Sequence, residues 1–289
     1  KQNFLIKSSC ITCDCKKLPL PLPSGTLPTS NSYFCTMNIP KGKKVYFASD
    51  NHLGAPNQEK SKVREKQFVV WLDTIKADAA AIYLMGDLFD VWIEYKRVVP
   101  KGFVRVLGKI AELADSGISI HFFVGNHDMW MKDYFETELG IPVYYEPQQI
   151  TLNNTSFFIG HGDGLGPGDK GYKRMKKVFR NPFIQWLYRL IHPDLGLRIA
   201  QHLSLRNRLI SGDDDKIYNG PESEWLVHYC REKLKTQNID YFIFGHRHLP
   251  LDIELSKNSR YINLGDWLEY NTYAVFDSNS VTLSTWETP

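Results

Sequence analysis

Short apolar runs alternate with segments of helical periodicity through the first half of the chain. Residues 45–49, 80–85 and 118–124 have the length and the apolar content of buried strands. Between them, residues 61–76 and 101–115 carry large apolar side chains at helical spacing, which predicts amphipathic helices. Strands that alternate with helices in this way are typical of an α/β fold.

The second half follows a different pattern, with strands grouped around a long helical region. Asn153 and Asn154 separate two short runs and predict a hairpin, because Asn tolerates the backbone conformation of a tight turn. Residues 169–210 and 221–235 predict helices, the latter beginning at Pro221. The strands predicted here lie at 149–153, 156–159, 241–244, 251–255, 260–263, 272–276 and 280–286. Together the elements predict two packed mixed sheets flanked by helices.

Polar blocks stand directly after five of the apolar runs. They offer carboxylate, amide and imidazole groups, and each has a glycine nearby. In open α/β sheets the carboxyl ends of the strands meet at one edge, so side chains at these positions can converge. The blocks are Asp50-Asn51-His52, Gly86-Asp87, Gly125-Asn126-His127-Asp128, Gly160-His161-Gly162 and Gly245-His246-Arg247-His248.

These groups suit two divalent metal ions. A carboxylate such as Asp87 can bridge two ions, because each of its oxygens can bind one, and Asn126 can contribute its amide oxygen. A turn between His246 and His248 can direct the two imidazoles to different ions. Nitrogen and oxygen ligands without a thiolate favour Mn²⁺, Fe²⁺ or Zn²⁺. Two such ions activate water and stabilise the entering and leaving oxygens, which predicts a hydrolase for phosphate esters or anhydrides.

One block taken alone is weak evidence, because Asp-x-His and Gly-Asp commonly form turns or caps and a surface His-x-His is usually solvated. Five ligand-bearing blocks at strand ends favour the metal interpretation. Within the third block, His127 is expected to contact phosphoryl oxygens or protonate the leaving group, or else to support a neighbouring ligand. Asp128 is expected to orient an imidazole or to cap a helix.

Bulk composition narrows the class of protein. The chain of 289 residues carries a formal net charge of +3, which does not by itself indicate a nucleic-acid partner. No apolar run reaches the ~18 residues of a membrane span, and no apolar core of a secretory signal follows the first basic residues. Cys230 is the one cysteine after residue 36, which fits a reducing cytoplasm. No obligate protein partner is evident.

Residues 1–36 differ in composition from the rest of the chain. Much of this segment is rich in Pro, Ser and Thr without a strand or helix period, which is typical of disorder. Its cysteines lack a fourth ligand at zinc-finger spacing, so free thiols are expected. Because the first methionine is Met37, we expect a disordered or non-native extension before a domain that spans 37–289.

The order of the blocks, D-x-H, G-D, G-N-H-D, G-H and G-H-x-H, resembles the calcineurin-like metallophosphoesterase superfamily over residues 43–286. The resemblance implies a four-layer αββα sandwich and two ions bridged by Asp87. The ligands that it implies for one ion are Asp50, His52, Asp87 and His248. Those that it implies for the other ion are Asp87, Asn126, His161 and His246.

Three further stretches are similar to the UDP-2,3-diacylglucosamine pyrophosphatases of lipid A synthesis. They are Gly86-Asp87-Leu88-Phe89-Asp90-Val91-Trp92-Ile93, His161-Gly162-Asp163 followed by Asp169 and Tyr172, and Leu264-Gly265-Asp266-Trp267. This resemblance implies cleavage of a pyrophosphate to UMP and 2,3-diacylglucosamine 1-phosphate, usually with Mn²⁺. It implies Asp87 and His127 as catalytic residues and Asn126, His127, Asp169 and Tyr172 as substrate contacts. The chain has His127, the superfamily norm, where that family carries Arg.

By the same resemblance, residues 165–212 form a helical insertion, a lid over the site that captures acyl chains. The sequence suits an amphiphile, because an apolar stripe that begins at Phe183 follows a basic run that begins at Lys170. Such a stripe is otherwise core packing, and such a run is otherwise a solvated face. We favour acyl binding and a peripheral position on the cytoplasmic face of the inner membrane.

Other functions use the same residues. A soluble phosphodiesterase or phosphatase for nucleotides or phosphoproteins needs the same metal site. A non-catalytic scaffold can keep the fold, although it should lose ligands that are all present here. A nuclease is disfavoured, because the basic run is interleaved with an apolar stripe and no separate DNA-binding domain is evident.

Overall fold

Two mixed β-sheets form the framework of the protein. The computed structural model describes residues 35–167, 170–211 and 217–287. Its strands are β1 (Cys35–Met37), β2 (Lys44–Ala48), β3 (Ala79–Leu84), β4 (Ser119–Phe123), β5 (Val143–Tyr144), β6 (Gln148–Leu152), β7 (Thr155–Gly160), β8 (Tyr241–Phe244), β9 (Pro250–Ser256), β10 (Ser259–Leu264), β11 (Thr272–Phe276) and β12 (Val281–Thr285). Its helices are α1 (Gln58–Ile75), α2 (Val104–Asp115), α3 (Tyr134–Glu138), α4 (Lys170–Phe179), α5 (Pro182–Tyr188), α6 (Pro193–Ser211) and α7 (Trp225–Leu234).

Each sheet has six strands. The first has the order β12-β11-β2-β3-β4-β5, and the second has the order β1-β6-β7-β8-β10-β9. In the first sheet β2, β3 and β4 run parallel, so that Tyr46 lies opposite Ile82 and Ile82 lies opposite Ile120. In the second sheet β7 and β8 are also parallel. Each parallel group brings the carboxyl ends of its strands to one edge, where sites in α/β proteins form.

The sheets pack face to face through a layer of apolar side chains. Phe47 and Tyr83 of the first sheet and Phe157 of the second are buried there, and the Phe47 and Phe157 rings are 6.1 Å apart. The outer face of the first sheet packs against α1 and α2 through residues such as Phe68. The outer face of the second packs against α7 through Leu226. The layers therefore follow the order helix, sheet, sheet, helix of the αββα sandwich.

The hairpin predicted at Asn153 and Asn154 is confirmed. Both residues have positive φ, 47° and 69°, between the antiparallel strands β6 and β7. Helix α1 begins at Gln58 rather than at residue 61. Its start is fixed by Asn57, whose side chain accepts a hydrogen bond from the Lys60 N–H at 3.0 Å.

The helix predicted to start at Pro221 is wrong at its beginning. Residues 221–223 form a turn, and α7 begins at Trp225. Glu224 has an extended backbone, and its buried carboxylate lies 3.2 Å from Arg247 Nε. This buried ion pair therefore lies at the residue where the turn ends and α7 begins. The short elements β1, α3 and β5 carry no periodic signal, because none exceeds five residues.

Helices α4, α5 and α6 lie between β7 and β8, within the range of the predicted helical insertion. Ser204 of α6 is buried against Asp90, so this helical segment packs on the loop that follows β3. Phe183, Trp186 and Leu190 of the segment are exposed. Within the described ranges, no helix has the length and apolar character needed to cross a bilayer.

The extension predicted for residues 1–36 lies outside the described residues, except for 35 and 36. These two positions belong to β1, which pairs in parallel with β6. Thr36 lies opposite Thr151 in that pairing, and Met37 lies opposite Leu152. The second sheet therefore has β1 as one of its edge strands.

Candidate metal centre and active site

The five polar blocks follow β2, β3, β4, β7 and β8 and meet at one edge of the packed sheets. Backbone hydrogen bonds join their loops: the Asp50 N–H donates to the Gly86 carbonyl at 3.1 Å, and the Gly245 N–H donates to the His161 carbonyl at 2.9 Å. The structure thus brings together all the side chains that the sequence predicts as metal ligands. They are Asp50, His52, Asp87, Asn126, His161, His246 and His248.

The backbone at these positions is unusual. Asp50, His52, Asp87, His246 and His248 all have positive φ, between 43° and 68°. A left-handed backbone costs a non-glycine residue roughly 1–2 kcal/mol. Such conformations cluster at functional sites, where the surrounding structure enforces them. The fold therefore keeps five unfavourable conformations in order to point these side chains into one space.

Asp50, His52 and His248 face a common point. His52 Nε2 lies 3.6 Å from Asp50 Oδ1 and 3.1 Å from His248 Nε2. His248 Nε2 lies 3.3 Å from Asp50 Oδ1. Ligand atoms about 2.1 Å from one ion are separated by roughly 3.0–3.4 Å in octahedral or tetrahedral geometry. The three atoms therefore have nearly the spacing of a coordination shell.

A second group adjoins the first. Asn126 Oδ1 lies 3.1 Å from His161 Nε2 and 2.9 Å from His246 Nδ1. Asp87 Oδ2 lies 3.3 Å from His161 Nε2 and 3.6 Å from His52 Nε2. This one carboxylate oxygen therefore faces both groups, which is the position of a bridging ligand.

Hydrogen bonds set the tautomers of two of the imidazoles. His161 Nδ1 lies 2.9 Å from the Met85 carbonyl, and His248 Nδ1 lies 3.0 Å from Asp266 Oδ2. Because both partners are acceptors, the proton of each neutral ring is on Nδ1 and the lone pair is on Nε2. These partners orient the two rings with Nε2 toward the centre, as in metal sites generally.

The side chains fit divalent metal ions. Asp50 is fully buried, and its Oδ1 has no hydrogen-bond partner among the described residues. The lone pair of His248 Nε2 lies 3.3 Å from this buried oxygen, so two electron-rich atoms face each other. Buried charge is unfavourable unless it is paired or coordinates a metal. A cation between these atoms satisfies both.

The electrostatics of the centre favour a cation. Burial alone raises the pKa of Asp87, but His161 and then His127 lower it, and the result lies well below the usual range. Burial lowers the pKa of His161, but the Asp87 carboxylate outweighs it and raises the pKa to about 10. An imidazole that holds its proton so strongly lies in a negative potential. The same potential would favour a divalent cation, and His161 would hold it through Nε2 after losing that proton.

Two glycines allow the loops to approach the ligands closely. A Cβ atom on Gly125 would overlap the Asp87 carboxylate, and one on Gly245 would overlap Ser49 and Asp50. Glycine is therefore required at both positions by space rather than by a turn.

Arg64 of α1 supports the loop that carries Asp50 and His52, and it does not lie in a recognisable motif. It is buried, and its Nε donates to the Asn51 carbonyl at 2.6 Å. Its Nη2 donates to the His52 carbonyl at 2.8 Å and also to the Ala55 carbonyl. A helical Arg is usually solvated, so the sequence gives no signal that this one fixes the loop of Asp50 and His52.

His127 lies beside the two ligand groups and lines the cavity above them. Its backbone N–H donates to Asp87 Oδ1 at 2.8 Å, and its Nδ1 lies 2.9 Å from the Asp90 carbonyl. The carbonyl accepts the Nδ1 proton, so Nε2 is the ring atom that can approach a phosphoryl group. The geometry is compatible with both functional roles expected for this residue.

Asp128 supports the backbone of two loops. Its Oδ1 accepts a hydrogen bond from the Gly125 N–H at 2.7 Å, and its Oδ2 accepts one from the Leu88 N–H at 3.0 Å. The expectation that it orients an imidazole or caps a helix is therefore wrong. A sequence shows which groups can accept a hydrogen bond, but it does not show which donor the fold brings to them.

Tyr172 of α4 lies at the edge of the centre, with its ring centroid 6.3 Å from that of His246. Its hydroxyl donates to Asp163 Oδ2 at 2.7 Å, and Lys176 Nζ lies 2.5 Å from the same oxygen. Asp163 therefore holds Tyr172 against the site. Asp169, the other residue expected near a substrate head group, lies outside the described residues.

A cavity of about 1280 Å³ opens over both ligand groups. It continues from His127 and Asn126 along the helical segment α4–α6. The side chains along that wall are mainly apolar, and they include Trp130, Met175, Phe179, Tyr188 and Leu203. Cavities of about 300–1,000 Å³ hold drug-sized ligands, so this one has room for a larger molecule.

The sequence is similar to known phosphoesterases. A family model described as calcineurin-like phosphoesterase matches residues 43–250. A UDP-2,3-diacylglucosamine hydrolase of Porphyromonas gingivalis is 41% identical over 257 residues, which cover 84% of this chain and 98% of the relative. One of Shewanella piezotolerans is 30% identical over 240 residues, with coverages of 83% and 97%. A solved phosphoesterase of E. coli aligns at 16% identity with a TM-score of 0.42, covering 84% of this chain and 92% of that chain.

The chain belongs to the calcineurin-like phosphoesterase family, as the order of its polar blocks predicts. It is a metal-dependent phosphohydrolase that uses divalent ions, with Asp and His groups placed to hold them. This assignment removes the non-catalytic scaffold from consideration.

Proposed function

We propose that the protein hydrolyses the pyrophosphate of UDP-2,3-diacylglucosamine to UMP and 2,3-diacylglucosamine 1-phosphate. One continuous cavity joins the candidate metal centre to the apolar side chains of α4–α6, and this observation carries the proposal. A molecule that occupies both regions needs a phosphate group close to acyl chains. Relatives at 41% and 30% identity are named for hydrolysis of this substrate.

Two divalent ions are assigned to the two ligand groups. Mn²⁺ is favoured, with Fe²⁺ and Zn²⁺ as alternatives, because the ligands are imidazole, carboxylate and amide oxygen. When bound, the ions activate water and stabilise the entering and leaving oxygens. The residues assigned to one ion are Asp50, His52, Asp87 and His248. Those assigned to the other are Asp87, Asn126, His161 and His246.

Two side chains are assigned to the phosphoryl group itself. When its ring carries a proton on both nitrogens, His127 keeps its Nδ1–H on the Asp90 carbonyl and donates from Nε2, either a hydrogen bond to a phosphoryl oxygen or a proton to the leaving oxygen. Asn126 directs Oδ1 between His161 and His246, so its Nδ2 is the group that can donate to a phosphoryl oxygen. Both roles depend on donors that are held in place before the substrate arrives.

The acyl chains are assigned to the wall formed by α4–α6. Phe179, Tyr188 and Leu203 line it, and each buried CH₂ group of an acyl chain contributes ~0.8 kcal/mol to binding. Tyr172 stands where this wall meets the metal centre, so it is assigned to the head group between the two regions.

The outer surface of the helical segment suits a membrane. Phe183 and Leu190 are 64% and 66% exposed, and Lys170, Arg174 and Lys177 are exposed on the neighbouring helix α4. Apolar side chains beside cationic ones favour an anionic bilayer surface. We therefore assign the protein to the cytoplasmic face of the inner membrane as a peripheral protein.

Sedimentation with vesicles tests this surface. The protein should co-sediment with vesicles that contain anionic lipid. Phe183→Asp should weaken this association, whereas Val63→Asp, at an exposed apolar position of α1, should not. Equal sedimentation of both variants would remove the membrane assignment without affecting the substrate.

Release of UMP tests the function directly. The Mn²⁺-loaded protein is assayed with UDP-2,3-diacylglucosamine in detergent micelles and with bis(p-nitrophenyl) phosphate in the same buffer. We expect the lipid to be turned over far faster than the diester, and we expect Asp87→Ala to lose both activities while Asp73→Ala, at the surface, keeps both. Hydrolysis of the diester without release of UMP would instead support a soluble phosphodiesterase.

A further inference from the structure

The cavity is also lined by residues outside the helical segment, on elements that adjoin the Asp50–His52–His248 group. Its wall there consists of the start of α1 and the turn that follows β10. The side chains that line this end are Pro56, Lys60, Leu268, Glu269 and Tyr270. This polar end differs from the apolar wall at α4–α6.

The turn after β10 is held rigidly by Asp266. Its Oδ1 accepts hydrogen bonds from the backbone N–H groups of Leu268, Glu269 and Tyr270 at 3.1, 2.9 and 3.2 Å. Its Oδ2 lies 3.0 Å from His248 Nδ1. One carboxylate therefore fixes both a ligand of the centre and the turn that carries Tyr270.

Aromatic packing fixes the same turn against α1. The ring of Trp267 lies 4.8 Å from that of Phe68 and 5.1 Å from that of Trp71, all three being buried. Arg64, one helical turn after Lys60, donates to the His52 carbonyl at 2.8 Å. The wall of Lys60 and Tyr270 is thus attached to the centre on the side of His52 and His248.

The helical segment is attached on another side. Ser204 lies 3.4 Å from His127 Nδ1, and the Tyr172 ring faces that of His246. A substrate whose reacting bond lies at the metal centre can therefore extend in two directions. One direction leads to apolar side chains, and the other leads to Lys60, Glu269 and Tyr270.

We propose that the polar end binds the nucleoside half of the substrate. An aromatic ring offers a stacking surface for a planar base, a carboxylate accepts from ribose hydroxyl or base N–H groups, and an ammonium attracts phosphate. Tyr270, Glu269 and Lys60 supply these groups in that order. The inference rests on the proposed function, since it assigns the second half of that substrate.

Inhibition by the product UMP tests the assignment without the lipid. The Mn²⁺-loaded protein hydrolyses bis(p-nitrophenyl) phosphate, and the inhibition constants of UMP and of inorganic phosphate are measured. Tyr270→Ala should raise the constant for UMP about 5- to 150-fold, the factor that corresponds to ~1–3 kcal/mol of base stacking, and should not change that for phosphate. Lys60→Met should also raise the inhibition constant of UMP. Lys62→Met, at an exposed position of the same helix, should leave that constant unchanged.

Leu203→Ala separates the two ends, because this change at the apolar wall should leave inhibition by UMP unaltered. Unchanged inhibition in both Tyr270→Ala and Lys60→Met would overturn the assignment. The assignment would also be overturned if Leu203→Ala weakened inhibition by UMP as much as Tyr270→Ala does, because the nucleotide would then lie at the helical end. If UMP inhibition depends on Tyr270 but the lipid is not hydrolysed, the proposed substrate fails and the nucleotide site stands.

Discussion

The hydroxyl of Ser204 lies 3.0 Å from both carboxylate oxygens of Asp90 and joins helix α6 to the loop that follows Asp87. Asp90 Oδ1 lies 3.6 Å from His52 Nδ1, and the Asp90 carbonyl lies 2.9 Å from His127 Nδ1. One residue therefore contacts the helical segment, a candidate metal ligand and a candidate catalytic imidazole. The position of the cavity wall and the orientation of the imidazoles are set together.

Removal of the hydrogen bond between Ser204 and Asp90 should lower hydrolysis of the lipid substrate more than hydrolysis of other substrates. A hydrogen bond to a charged group contributes about 1.5–3 kcal/mol, so Ser204→Ala should lower kcat/KM on UDP-2,3-diacylglucosamine roughly 10- to 100-fold. Turnover of bis(p-nitrophenyl) phosphate should fall less, because that substrate does not need the apolar wall. Ser280→Ala, in the turn between β11 and β12, is the control. Equal losses of activity on both substrates would show that the contact between Ser204 and Asp90 orients only the imidazoles and does not position the cavity wall.

Asp266→Asn tests how His248 is oriented. The amide keeps one oxygen to accept from the backbone of the following turn, but its NH₂ group cannot accept the proton of His248 Nδ1. Loss of such a partner typically costs 10–100-fold in metal affinity or activity, and we expect about that loss in a Mn²⁺ titration of the apoprotein. Asp252→Asn, which removes the ion pair with Arg260, should bind Mn²⁺ as the wild type does. An unchanged affinity of Asp266→Asn for Mn²⁺ would contradict the role of Asp266 in orienting His248.

His127→Ala separates chemistry from metal binding. Removal of a preorganised donor to developing negative charge costs ~10²–10³-fold in kcat, and we expect a fall of that size. Metal analysis should still find two ions per chain, because His127 belongs to neither ligand group. His202→Ala, at an exposed position of α6, should be fully active. Near-normal turnover of His127→Ala would leave the residue with a supporting role only.

The convergence of the candidate ligands could be predicted from the sequence, because each lies where an apolar run ends. The strand periodicity places Asp50 and Asp87 after the parallel strands β2 and β3, and parallel strands share one edge. The same reasoning covers His161 and His246 after β7 and β8. A local pattern therefore sufficed for contacts between residues far apart in the chain.

The supporting contacts could not be predicted in this way. Arg64 and Ser204 lie on helices whose packing partners depend on the whole fold, and neither stands in a recognisable motif. Asp266 does stand in such a motif, but its partner His248 comes from a different loop. Periodicity shows which face of an element is buried, and it does not show which polar group will be opposite.

A pH-dependent stability should arise away from the metal centre, at His121 of β4. The ring is buried and stacked on Tyr83, with Ser119 Oγ 3.0 Å from Nε2 and the Tyr144 hydroxyl 3.2 Å from Nδ1. Burial lowers the pKa of His121 from the usual 6.5 to about 4. Between these two values the unfolded chain binds the proton and the folded protein does not, so stability rises with pH.

Replacement of His121 by Gln tests this coupling, since the amide can keep both hydrogen bonds but does not titrate. The stabilisation from the neutral ring is fully present above about pH 6.5 and is lost as the pH falls toward about 4. At ~1.36 kcal/mol per pKa unit, the wild type should lose about 3 kcal/mol more than His121→Gln across this range. Urea denaturation of the metal-free protein at several pH values measures the difference, because the metal ligands titrate alike in both proteins. Parallel curves for the wild type and His121→Gln would show that His121 takes up a proton as readily in the folded protein as in the unfolded chain, and would contradict the prediction.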